Sequence, residues 1–123
     1  MNRTTRVLLL SLTTCLAAAC GGDGGSSGVD SSKTIGSLSI SEQMELCEWT
    51  NDQQPTEPFM CGGETIEPED PADCSAAAIM ADPVPTDCMA TVGQYEACLE
   101  AVNADLCAES LPAVCEPLFA CFG

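Results

Sequence analysis

The sequence predicts a small all-α domain stapled by disulfides, with three to four short helices and one short hairpin near residues 60–66, behind a signal peptide and a flexible linker. Three observations predict it. Eight cysteines (Cys47, Cys61, Cys74, Cys88, Cys98, Cys107, Cys115 and Cys121) fall within the final 85 residues, a density typical of small exported scaffolds. Two stretches, "SLSISEQMELCEW" and "TVGQYEACLEAVNADL", set apolar residues at helical spacing behind a Ser-x-x-Glu and a Thr-x-x-Gln capping box. The opening residues carry charge and then an apolar run that closes on three alanines, the layout of an export signal.

Residues 1–19 make that signal. Arg3 and Arg6 precede the thirteen mostly apolar residues from Val7 to Ala19, which as a helix would reach roughly 20 Å, short of a bilayer span. Cys20 follows at once. Cys15 lies inside the removed run, and the eight downstream cysteines can pair completely, so Cys20 is the odd thiol. The stretch "LAAAC" resembles the lipobox of bacterial lipoproteins, which implies acylation of Cys20 and attachment to a membrane through its acyl chains. Two or three such chains, at ~0.8 kcal/mol per buried methylene, hold a protein durably.

From 20 to 38 the sequence reads as the lipidated cysteine and a Gly/Ser-rich flexible linker, with an end-to-end distance of roughly 20 to 25 Å. The domain then occupies 39–123. Its first helix starts at the Ser39/Glu42 capping box, with Ile40, Met44 and Cys47 on one stripe that Leu46 and Trp49 widen. Four prolines and a Gly-Gly pair between Gln53 and Cys74 predict a loop, with a hairpin turning at Gly62-Gly63. "PADCSAAAIMA" predicts a second helix that stops before Pro83 and Pro85. The third carries Val92, Tyr95, Leu99, Val102 and Leu106 as its apolar stripe, and a last short helix begins near Pro112 and breaks at Pro117. The cysteine pairing stays open, since eight cysteines allow on the order of a hundred connectivities.

"SEQMELCEW" and "CMATVGQYEACLEAVNADLC", behind "ACGGDGG", resemble the cysteine-rich lipoproteins of myxobacterial genomes. That group has no assigned activity, so the resemblance implies an exported, lipid-anchored envelope protein and carries over no functional residue. By analogy with enterobacterial sorting, Gly21 rather than aspartate after the anchor favours the outer membrane.

Charge narrows the function further. The chain holds nineteen acids, three basic residues and no histidine, and losing Arg3 and Arg6 with the signal takes the formal charge from −16 to −18. Nothing after Lys33 could neutralise a phosphate backbone, which excludes nucleic acid as a partner. Without histidine, Ser-His-Asp and Cys-His nucleophile systems are impossible. The closest cysteines of the domain, Cys115 and Cys121, have five residues between them, so there is no C-x-x-C redox pair or zinc knuckle. The expectation is therefore a non-enzyme without a cofactor, a monomer whose protein partner is not specified.

One cluster suggests a ligand: Glu64, Glu67, Glu69, Asp70 and Asp73 place five carboxylates within ten residues, an oxygen-rich loop of the kind that takes Ca²⁺. The sequence thus leads to a non-catalytic binding or structural module in the cell envelope. A calcium-dependent module on residues 64–73 and a secreted inhibitor or toxin-like domain stand beside it.

Overall fold

The computed structural model describes residues 25–122. The signal peptide expected at 1–19 and the acylation expected at Cys20 lie outside the described residues. Within them the chain forms a 3-10 turn at Ile35–Ser37, α1 (Ile40–Gln53), the hairpin strands β1 (Phe59–Cys61) and β2 (Glu64–Ile66), α2 (Ala76–Ala81), α3 (Val92–Ala104), a 3-10 turn at Ala113–Cys115, and α4 (Glu116–Phe122).

Both capping boxes form. The Ser39 hydroxyl accepts the Glu42 N–H at 3.2 Å while Glu42 accepts the Ser39 N–H at 2.9 Å, and Thr91 and Gln94 repeat those distances at the start of α3. Two otherwise unpaired donors are satisfied at each helix start. Ser75 caps α2 by accepting the Ala78 N–H. The hairpin turns where Gly62 and Gly63 both take positive φ, 59° and 88°, the conformation a tight two-residue turn requires and glycine supplies without strain. Its register pairs Phe59 with Ile66, Met60 with Thr65 and Cys61 with Glu64. This small antiparallel sheet makes the domain mostly helical rather than strictly all-α.

The tail departs from the sequence reading in a second way. Pro117 does not break a helix but sits in the first turn of α4, where its missing N–H would have had no intrahelical partner. Leu106 also leaves the expected stripe, because α3 ends at Ala104 and Leu106 is exposed.

All eight domain cysteines pair: Cys47–Cys74, Cys61–Cys107, Cys88–Cys121 and Cys98–Cys115. The first joins α1 to the residues before α2, the second joins the hairpin to the end of α3, and the last two hold the C-terminal turn and α4. Four such bridges belong to the chemistry of an oxidising, extracytoplasmic compartment. No helix among the described residues is long and apolar enough to cross a membrane.

The core has two adjoining clusters. Val29, Leu38, Leu46 and Val92 form one, with Trp49 and Tyr95 packed against it. Ile35, Cys88, Ala90 and Leu118 form the other, and Tyr95 touches this one too. Val29, Ile35 and Leu38 come from the segment expected to be a flexible linker, so the boundary at 39 is corrected: the folded body includes residues 29–38. That segment runs antiparallel to residues 88–93. Ile35 N–H donates to Ala90, Val92 N–H to Lys33 and Gly93 N–H to Ser31, all at 2.8 to 2.9 Å. Gly36 passes so close that a Cβ there would lie 2.5 Å from the Thr86 carbonyl oxygen. Buried apolar area and ladder hydrogen bonds together outweigh the Gly/Ser composition that suggested a coil.

Candidate functional site

The two core clusters leave a cleft between them at the side of α1. Its volume is about 250 Å³, and its lining includes Ile35, Leu46, Thr50, Val84, Tyr95 and Phe122. A single water takes ~30 Å³, so the space suits a small organic molecule. α1 places Gln43, Leu46, Cys47, Thr50 and Asn51 along one wall at helical spacing, with Gln54 just beyond the helix. Tyr95 from α3 and Phe122 from the end of α4 form the facing side, and Ala72 and Val84 come from the loops around α2.

Hydrogen-bond accounting defines its polarity. The single hydroxyl hydrogen of Thr50 is committed to the Leu46 carbonyl at 2.7 Å. The 3.0 Å contact between Thr50 Oγ1 and Tyr95 Oη is therefore a bond donated by Tyr95, since a threonine hydroxyl has one proton to give. Both donors are spent, while the Tyr95 oxygen keeps acceptor capacity. Asn51 uses both ends of its amide on one residue, donating to the Ala72 carbonyl at 2.9 Å and accepting the Ala72 N–H at 3.0 Å. This pair fixes the loop that closes one end of the cleft, next to Cys47–Cys74. Gln43 donates to the Leu38 carbonyl at 3.0 Å, and its amide oxygen is buried without a donor. In a chain with nineteen acids, none of the described residues lining this cleft is charged.

The five carboxylates of the expected calcium loop are not brought together. Glu64 opens β2, and the chain from Glu67 to Cys74 runs on without a turn to gather the others. Pro68 and Pro71 hold their own φ near the extended value, and the residues before them are biased the same way. Asp73 accepts the Ser75 N–H at 2.9 Å, which holds its carboxyl below the usual range. Among the described residues no three acidic or cysteine side chains meet in a metal-ligating group. The described residues thus show no preassembled ligand set for the calcium expected at Glu64, Glu67, Glu69, Asp70 and Asp73.

A second groove, of about 380 Å³, runs between the hairpin and α3, walled by Phe59, Ile66, Leu99 and Val102. Glu67 and Glu69 edge it, and Cys61–Cys107 ties its end.

The sequence reading did not single out Thr50, Val84 or Phe122, and it placed Tyr95 in the core stripe alone. Periodicity shows which face of a helix is apolar, but the cleft arises where two faces fail to close on each other, and no local pattern encodes that. Leu46 and Tyr95 were legible as core residues; their role as cleft walls was not. No family model matches the chain, and neither the curated proteins nor the solved structures contain a match to it.

Proposed function

We propose that the protein is an exported, lipid-anchored envelope protein whose disulfide-stapled domain is a non-catalytic binding module held at the membrane through acyl chains on Cys20. The observation that carries this reading is the cysteine pairing. The eight cysteines from Cys47 to Cys121 close on one another, so the fold asks nothing of Cys20, which follows an apolar run and three alanines. Support for binding over catalysis comes from the cleft, whose walls are apolar or neutral and carry no acid, base or nucleophile beyond hydroxyls already engaged in hydrogen bonds. The chain also has no histidine, and its Lys33 is paired with Glu42. The outer membrane is the favoured address.

Detergent phase partitioning of the full chain and of its C20S variant, expressed in a bacterium with lipoprotein processing, tests the anchor. The wild type should enter the detergent phase and C20S the aqueous one. Equal partitioning of the two would contradict it.

A further inference from the structure

We propose that the cleft between α1, α3 and Phe122 binds a neutral, largely apolar small molecule that carries one hydroxyl or N–H group. This rests on the reading of the domain as a binding module and names the chemical class it takes.

The walls of the cleft carry no charge. The acids are spread so widely over this chain that a cleft lined by eleven residues without one is a local exception. A charged ligand entering it would lose its hydration with no counter-charge in return. An apolar body is favoured instead by the partly exposed faces of Val84, Tyr95 and Phe122, in proportion to the area it takes from water, over a floor closed by the buried Ile35 and Leu46. Phe122 is 57% exposed, so a ligand body lying against it would take apolar surface out of water.

The polar groups then fix the ligand's one polar contact. Thr50 spends its proton on Leu46, and Tyr95 spends its own on Thr50. What remains for a ligand is acceptor capacity on the Tyr95 oxygen; the Gln43 amide oxygen also lacks a donor but is buried away from solvent. A ligand that only accepts would leave the Tyr95 acceptor unmet, whereas a ligand hydroxyl or N–H satisfies it. The Thr50–Tyr95 relay also orients the phenol, so its free lone pair is held in place before binding.

The test uses the full chain carrying C20S, exported and oxidised, so that the cleft is read whether or not the anchor reading holds. Three probes of one body are titrated calorimetrically: 4-propylphenol, its methyl ether 4-propylanisole, and 4-propylbenzoate. The expected result is saturable 1:1 binding of the phenol, binding of the ether weaker by about five- to tenfold, the worth of one hydrogen bond, and no binding of the carboxylate. Y95F should bring the phenol down to the level of the ether and leave the ether unchanged. V84F, which fills the cleft from its loop side, should abolish both. Equal binding of phenol and ether, tighter binding of the carboxylate, or no heat from the phenol at millimolar concentration would overturn the proposal. Such a failure would leave the partitioning result for Cys20 untouched.

Discussion

The indole N–H of Trp49 donates to the Gly25 carbonyl at 2.8 Å, fastening the start of the described chain to α1. Two residues on, the Ser27 N–H and hydroxyl both donate to one Glu96 oxygen, at 2.8 and 2.6 Å, fastening it to α3. Only four residues separate Gly25 from Cys20. A chain of that length reaches at most roughly 17 Å, so an anchor at Cys20 would hold the domain close against the membrane surface.

The packing of residues 29–38 gives the first prediction. Ile35 is 2% exposed, and Ile35→Ala should lower unfolding free energy by about 2 to 5 kcal/mol, the cost of a truncated core side chain. A residue in a free linker would change it by nothing measurable. Denaturant unfolding of the oxidised protein distinguishes the two.

Gly36 tests the close approach of that segment to residues 86–88. An added methyl would lie 2.5 Å from the Thr86 oxygen, 2.8 Å from its carbonyl carbon and 2.9 Å from the Cys88 oxygen. These are backbone atoms, so the ladder itself must shift. Gly36→Ala should cost about 1 to 3 kcal/mol, read from the same unfolding curves, although alanine is otherwise the less entropically costly residue to order.

The two capping boxes make equivalent predictions at the starts of α1 and α3. Ser39→Ala and Thr91→Ala should each cost about 0.5 to 2 kcal/mol. The two helix starts share no hydrogen bond, so the double variant should show nearly the sum.

The ion pair predicts a pH dependence. The Lys33 ammonium first, then the Ser39 N–H, holds the Glu42 carboxyl below its ordinary range, and Glu42 in turn raises Lys33. A depressed carboxyl stabilises the fold above its unfolded value, and that contribution is lost as pH falls through the folded one. The raised lysine contributes fully below its ordinary value and loses that share as pH rises through its folded one. Glu42→Gln can keep the capping geometry, as Gln94 does in α3. The stability difference between wild type and E42Q should therefore be level through neutral pH, shrink in acid below the ordinary carboxyl range, and shrink again in strong alkali. High salt should flatten it throughout.

What the sequence disclosed follows from how local each feature is. Ser39 with Glu42, Thr91 with Gln94, and Gly62-Gly63 are decided within a few residues, and each took the form its chemistry required. Val29, Ile35 and Leu38 were misread because three apolar residues at irregular spacing in a Gly/Ser-rich stretch have no periodicity; their partners, Val92, Ala90 and Leu46, are supplied by distant segments. Pro117 was misread because a proline ends one helix or starts another depending on where the preceding turn stops, and Cys98–Cys115 helps to set that. The cleft between Thr50 and Phe122 depends on tertiary placement alone.

The most direct test of the account is the intact mass of the protein purified from its own membranes, before and after reduction and alkylation, with the bridges then mapped. Because no Lys or Arg follows Lys33, trypsin cannot separate the bridges, and a protease that cuts at acidic residues serves for the mapping. The account requires a chain beginning at Cys20 with added acyl mass, eight thiols released only on reduction, and the pairs Cys47–Cys74, Cys61–Cys107, Cys88–Cys121 and Cys98–Cys115. An unacylated chain, or free thiols among the eight before reduction, would contradict it.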